Sequence, residues 1–182
     1  MREIELKARV ADLVKLKSKL TAMKIVLSEP VSQKDVVYGK RQGEGWVHGE
    51  QWFRVRTEQG KKHILTMKRT LGAGLDSLEH ESVVTDPEAI VAILADLGFE
   101  YYCTLTKIRQ KATWGDIELC LDSVPELAAD FIEVEKLVAH DADHDQVVIE
   151  LHRFLAELSI DTKDEITEGY DVLLLKLQGK PF

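Results

Sequence analysis

The first ten residues, MREIELKARV (residues 1–10), alternate charged side chains with aliphatic ones. Successive side chains of a β-strand point to opposite faces, so this alternation predicts a strand with one charged face and one aliphatic face. The charged face carries Glu3, Glu5, Lys7 and Arg9. A strand that only borders solvent does not need a charge at every polar position, so the rest of the chain has to explain this face.

The same alternation recurs along the chain. We predict strands near residues 2–10, 31–39, 50–58, 62–70, 78–85, 103–113, 116–122 and 130–138. Apolar positions at helical spacing predict amphipathic helices near residues 11–24, 85–98, 145–158 and 164–177. Eight strands exceed the roughly 4 to 6 of a common sheet, which favours closure. The predicted class is α+β: an eight-stranded antiparallel β-barrel or tunnel with a charged lumen and amphipathic helices packed outside.

Length, charge and cysteine usage narrow the class of protein. The chain has 182 residues and a formal net charge of -8, so we expect one domain over residues 1–182 and neither nucleic acid nor an anionic membrane as partner, since those need a basic face. Cys103 and Cys120 lack the spacing of a zinc site and the density of a disulfide scaffold, which predicts reduced thiols. The charged start and the lack of a membrane-length apolar run predict a soluble cytoplasmic protein.

Charge of one sign dominates individual strand faces. Basic faces carry Arg54 with Arg56, Lys68, and Lys107 with Arg109; acidic faces carry Glu79 with Glu81, Glu118 with Asp122, and Glu133 with Glu135. An open sheet with one solvated face would also alternate polar and apolar residues. Paired charges of one sign, and helices available to cover the apolar faces, favour an interior instead.

Such an interior suits one class of ligand. An eight-stranded barrel is about wide enough for one small ligand. Arginine and lysine bind phosphate oxygens, and clustered carboxylates bind hard divalent cations such as Mg²⁺. The residues therefore predict a metal and triphosphate site built from strands.

The segment EIELK (residues 3–7) resembles the ExExK signature of the CYTH superfamily, which is named for class IV adenylyl cyclases and thiamine triphosphatases and is also called the triphosphate tunnel metalloenzymes. Further similar segments follow in the family's order: QKDVVYG, FRVR, LTMK, EHES, KIR, LCLDSV and FIEVE. Each segment is short, but the ordered series spans nearly the whole chain.

This resemblance implies roles for individual residues. The metal-side carboxylates would be Glu3, Glu5, Asp122, Glu133 and Glu135. The phosphate-binding residues would be Lys7, Arg54, Arg56, Lys68, Lys107 and Arg109, of which Lys7, Arg56 and Arg109 would also take part in catalysis. Glu79 and Glu81 match a further acidic pair, and the cofactor would be Mg²⁺ or Mn²⁺. The family also implies a homodimer.

Three reactions or roles fit the resemblance. The strand spacing resembles the class IV adenylyl cyclase branch, which converts ATP to cyclic AMP and pyrophosphate. The alternatives are a thiamine or inorganic triphosphatase, and a module that binds a nucleotide or polyphosphate without turnover. The chain departs from the family at ELAAD (residues 126–130), where Ala128 and Ala129 stand for glycines, and at EGYD (residues 168–171), which keeps only Tyr170 of a basic-Ser-Tyr motif.

Two other segments have ordinary explanations. HDADH (residues 140–144) could ligate a metal, but a loop that leads into a helix, with Asp145 near its N-cap, explains it better. LGAGLD (residues 71–76) lacks the Gly-Lys-Ser/Thr ending of a P-loop, which makes Gly72 and Gly74 hairpin glycines.

Overall fold

A computed structural model describes residues 2–47, 51–71 and 76–181. Its strands are β1 Arg2–Val10, β2 Val31–Gly39, β3 Arg41–Gln42, β4 Gly45–Trp46, β5 Gln51–Glu58, β6 Lys62–Thr70, β7 Ser77–Val84, β8 Glu100–Trp114, β9 Ile117–Val124, β10 Ala129–Val138 and β11 Glu165–Ile166. Its helices are α1 Leu13–Ala22, α2 Pro87–Asp96, α3 His144–Glu157 and α4 Tyr170–Leu177.

Eight long strands form a closed antiparallel barrel. Their order around the barrel is β10, β9, β8, β2, β5, β6, β7 and β1, and β1 pairs again with β10. β1 pairs with β10 over its whole length, whereas its pairing with β7 joins Glu3 to Ser77. The short β11 pairs with β1 near Lys7. The predicted α+β barrel of eight antiparallel strands is confirmed.

Element bounds differ from the predicted ones in a few places. β8 starts at Glu100 rather than near residue 103, because a register shift after Val37 lets residues 100–101 continue the pairing with β2. The segment between β2 and β5 contains the small β3–β4 hairpin, which was not predicted. Gly72 and Gly74, predicted as hairpin glycines, lie outside the described residues.

Two sides of the barrel wall have opposite character. The aliphatic face of β1, with Ile4 and Ala8, packs with α1 and α3 into one buried cluster that includes Leu20 and Leu151. α2 covers the outer face of β2 and β5 through Leu94. These three helices lie outside the barrel, as predicted, so their burial leaves the charged faces for the lumen.

Helix α4 is placed differently from the prediction. It begins at Tyr170 rather than near residue 164, since residues 165–166 are taken up by β11. Its Leu174 and Leu175 pack against apolar residues of the lumen faces, among them Val37, Leu105 and Phe131. α4 therefore fills one end of the lumen instead of covering an outer face.

The HDADH segment leads into α3. The helix begins at His144, and the Asp143 side chain accepts hydrogen bonds from the backbone N–H groups of Asp145 and Gln146. The N-cap is thus Asp143 and not Asp145. Across the described ranges, the residues of this segment join no cluster of possible metal ligands.

The helices of the described ranges do not combine the length and the apolar character that a membrane crossing requires. Cys103 and Cys120 are both free thiols buried inside the structure.

The turn before β10 holds a non-glycine residue in a left-handed conformation. Ala128 follows the 3-10 turn Pro125–Leu127 and has φ 47° and ψ 42°. This conformation costs an L-residue roughly 1–2 kcal/mol, whereas glycine adopts it freely. Ala128 therefore holds this turn at an energetic cost.

We expect Ala128→Gly to raise the free energy of unfolding by about 1 kcal/mol, because it removes this backbone strain. Ala129→Gly is the matched control. Ala129 is the first residue of β10, where glycine should lower stability by roughly 0.5–1 kcal/mol. Urea unfolding measures both; equal effects of the two variants would contradict the assignment of strain to Ala128.

Candidate active site in the barrel lumen

The lumen contains a cavity of about 430 Å³ lined by charged side chains of the barrel strands. The predicted site residues that line it are Glu3, Glu5, Lys7, Arg54, Arg56, Lys68, Lys107, Arg109, Glu133 and Glu135, together with Glu79 and Glu81. Period-two alternation brings them there, because each strand turns every second side chain inward. The structure thus gathers side chains from positions 3 to 135 around one cavity.

A carboxylate cluster forms one part of the site. Oxygen atoms of Glu3, Glu5 and Glu135 all lie within 4.8 Å of one another, since Glu5 stands opposite Glu135 in the β1–β10 pairing. Glu5 Oε1 is buried and lies 3.2 Å from Lys7 Nζ, but it receives no well-aligned hydrogen bond from the described residues. A group of carboxylate oxygens with spare acceptor capacity suits a hard divalent cation.

The electrostatics of this cluster point the same way. Burial and the neighbouring carboxylates raise the pKa of Glu3 to about 7 and the pKa of Glu135 to about 9. Like charges held together in a poorly solvated place favour the protonated form unless a cation compensates them. The three carboxylates therefore fit a divalent metal, and in its absence Glu135 is protonated and Glu3 partly protonated at neutral pH.

This cluster should make the metal-free protein less stable at high pH. The folded protein retains protons on Glu3 and Glu135 that the unfolded chain releases above its ordinary pKa, so stability falls as pH rises from about 4.5 through 7 and 9. Glu135→Gln removes part of this loss. In EDTA, we expect the variant to gain stability relative to wild type between pH 6 and pH 9.5.

Urea unfolding at the two pH values measures this difference. Glu157→Gln, on the exposed side of α3, is the control and should follow wild type. A Glu135→Gln variant with the wild-type pH dependence would contradict the raised pKa.

A row of cations lies beside the carboxylate cluster. Lys7 Nζ is 3.2 Å from both Glu5 Oε1 and Glu133 Oε1. Arg109 donates hydrogen bonds to Asp122 and to Glu133. Despite the opposing effect of burial, these cations hold the pKa of Glu133 well below its usual range. The pairs leave Glu133 ionised and bound to lysine and arginine.

Lys107 is the weakest base of this row. Its Nζ lies 3.3 Å from Asp122 Oδ2, but burial, together with the charge of Arg109, lowers its pKa to about 8. The other cations of the row keep stronger carboxylate contacts. The charged form of Lys107 is therefore less strongly favoured than that of an ordinary lysine.

Asp122 and Glu133 were predicted on the metal side, and the structure does not bring them into the carboxylate cluster. Asp122 accepts bonds from Arg109, from Lys107 and from the Tyr170 hydroxyl at 3.1 Å. Cross-strand register explains this placement, because Arg109 stands directly opposite Asp122. In this structure both carboxylates hold cations in place.

A second group of ion pairs lies on β5, β6 and β7. Lys68 Nζ is 2.6 Å from Glu79 and 3.8 Å from both Glu3 and Glu5. Arg54 Nη2 donates to Thr66 and to Glu81. The acidic pair without an assigned role thus supports Lys68 and Arg54, because Glu79 and Glu81 stand opposite Lys68 and Thr66 in the β6–β7 register.

Two lumen residues had no assigned role in the sequence analysis. Asp35 of β2 lines the cavity and accepts two hydrogen bonds from Arg56. Tyr170 of α4 lies under the lysines, with its ring centroid 4.3 Å from Lys7 Nζ and 5.2 Å from Lys107 Nζ. The alternation of β2 places Asp35 on the inward face, but only the β2–β5 register identifies its partner.

A closed barrel whose lumen combines paired cations with a cluster of three carboxylates suits an anionic ligand together with a metal ion. The CYTH domain model matches residues 1–170, and the chain belongs to this family. Enzymes of the family act on triphosphates and depend on divalent cations.

Three relatives illustrate the similarity. A Methanocaldococcus jannaschii protein named "putative adenylate cyclase" is 27% identical over 184 residues, covering 98% of this chain and 99% of the relative. A Pyrococcus horikoshii structure matches with a TM-score of 0.80 at 22% identity, over 94% of this chain and 99% of its own. A Hippeastrum structure, described as a "putative adenylyl cyclase" with a dominant triphosphatase activity, matches with a TM-score of 0.61 at 16% identity, over 100% and 98%.

Proposed function

We propose that this protein is a cytoplasmic, divalent-cation-dependent enzyme that converts ATP to cyclic AMP and pyrophosphate. The observation that carries the proposal is the division of the lumen into a carboxylate cluster and a row of lysines and arginines within one cavity. The name of the Methanocaldococcus jannaschii relative, which matches nearly the whole chain, favours cyclisation.

The lumen residues have distinct parts in this reaction. Glu3, Glu5 and Glu135 would hold the Mg²⁺ or Mn²⁺ ion, which would offset charge that develops on the phosphates. The phosphate oxygens would be bound by six cations, which would hold the triphosphate in line for attack. These cations are Lys7, Arg54, Arg56, Lys68, Lys107 and Arg109. The ribose 3′-hydroxyl would attack the α-phosphorus, and the bond to the β-phosphate would break.

Hydrolysis is the second candidate. The dominant triphosphatase activity described for the Hippeastrum protein of the same fold favours it. The same cations would hold the substrate, and water would attack the terminal phosphorus instead of the ribose hydroxyl attacking the α-phosphorus. The nucleophile that the site positions decides between the two reactions.

Product analysis tests the function and separates the candidates. Purified protein is incubated with ATP, GTP, thiamine triphosphate or tripolyphosphate in Mg²⁺ or Mn²⁺, and products are resolved by chromatography. We expect cyclic AMP and pyrophosphate from ATP, and loss of turnover in EDTA. Orthophosphate as the main product would support hydrolysis, whereas tight binding without products would contradict an enzyme.

Arg54 offers a test of phosphate binding in the lumen. We expect Arg54→Ala to weaken binding of tripolyphosphate by about 10- to 100-fold, since a hydrogen bond to a charged group contributes roughly 1.5–3 kcal/mol. Arg69→Ala is the control, because Arg69 lies exposed on the outer face of neighbouring β6. Calorimetric titration measures both affinities. Equal weakening in the two variants would contradict binding inside the lumen.

A further inference from the structure

Asp35 and Arg56 form a two-point contact in the lumen wall. Arg56 Nε donates to Asp35 Oδ1 at 2.7 Å, and Arg56 Nη2 donates to Asp35 Oδ2 at 2.8 Å. The residues stand directly opposite each other in the β2–β5 pairing and are only 3% and 6% exposed. Two parallel hydrogen bonds fix both the position and the plane of a guanidinium group.

The surroundings of Asp35 are cationic. Arg54, Arg56 and Lys107 lower its pKa despite the opposing effect of burial, so the carboxylate stays ionised at neutral pH. A carboxylate among phosphate-binding cations opposes the binding of a triphosphate, because like charges repel. Stronger attraction for the ligand therefore cannot be the reason for an acidic residue at this position.

The hydrogen-bond geometry supplies another reason. Arginine has five N–H donors in a rigid fork. Asp35 takes Nε and one donor of Nη2, which leaves Nη1 and the second Nη2 donor for a ligand in the cavity that both residues line. Without Asp35, the long Arg56 side chain could occupy several rotamers. The remaining Nη1 and Nη2 donors would then have no fixed direction.

We propose that Asp35 is a positioning residue that fixes the Arg56 guanidinium for phosphoryl chemistry and governs the rate of reaction rather than the affinity for the triphosphate. This inference rests on the proposed function, since it concerns turnover in the same lumen. It assigns Asp35 an effect on kcat that acts through Arg56.

Asp35→Asn tests the inference, because the amide keeps the shape of the carboxylate but replaces one acceptor with a donor. We expect kcat for the best triphosphate substrate to fall about 10- to 100-fold, as misplacement of a substrate-holding group by about 1 Å can cost up to 10²-fold. We expect the calorimetric Kd for tripolyphosphate to stay equal or to decrease, because a negative charge leaves the site. In an Arg56→Ala background, Asp35→Asn should lower kcat no further.

Asp76→Asn is the matched control for loss of an arginine ion pair at a buried carboxylate. Arg2 donates to both oxygens of Asp76, which is 3% exposed and lies outside the residues that line the cavity. We expect this variant to lose stability in urea unfolding while kcat and Kd stay at wild-type values. Both variants are assayed without urea, at a temperature at which their unfolding curves show that the protein is folded.

Two results would overturn the positioning role alone. One is a parallel loss of kcat and of tripolyphosphate affinity in Asp35→Asn, which would indicate a merely structural role. The other is an effect of Asp35→Asn that persists at full size in the Arg56→Ala background. Absence of turnover by the wild-type protein is a separate outcome, which would overturn the proposed function and this inference together.

Discussion

Pairing of buried charge is the constraint on which this structure depends. Removing an ion from water costs several kcal/mol unless an opposite charge and hydrogen bonds compensate it. Each of the six predicted phosphate-binding cations contacts a carboxylate of the lumen wall. Four of these contacts join residues directly opposite each other in the sheet: Lys7 with Glu133, Arg56 with Asp35, Lys68 with Glu79, and Arg109 with Asp122. The pairing of these buried charges therefore depends on the strand register.

In the closed barrel, the register of each strand decides both which side chains face the lumen and which face the helices outside. A shift of one residue in any pairing would turn charged side chains outward and aliphatic ones into the lumen. Ile4 and Ala8 pack against α1 and α3 only when Glu5 and Lys7 face the cavity. Burial of the aliphatic face by helices thus stabilises the register that places charged side chains in the lumen. A slipped register would lose both the core contacts and the ion pairs.

The sequence predicted the barrel and most of the lumen, but not the grouping of its charges. Alternation with a period of two tells which side chains share a face, and that was enough for all but one of the predicted site residues to line the cavity. It does not tell which residues of neighbouring strands stand opposite each other. For this reason Asp122 and Glu133 could not be separated from Glu3, Glu5 and Glu135 before the register was known.

The placement of α4 was unpredictable for a related reason. An apolar stripe at helical spacing shows that a helix must pack on something, but not on what. The lumen faces carry apolar residues at one end, including Val37, Leu105 and Phe131, and α4 covers these. The role of Asp35 could not be predicted either. A single carboxylate in the segment QKDVVYG shows no partner until β5 is placed beside β2.

The balance of charge in the lumen favours a ligand that carries its own cation. Among the described residues, nine acidic and seven basic side chains line the cavity, so it is not a simple basic cleft for anions. A bare triphosphate would meet cations that carboxylates already neutralise, and it would face the cluster of Glu3, Glu5 and Glu135. A complex of metal and triphosphate resolves both conflicts: its cation replaces the protons of the cluster, and its phosphates, less charged overall, need only the donors that ion pairing leaves on the arginines and lysines.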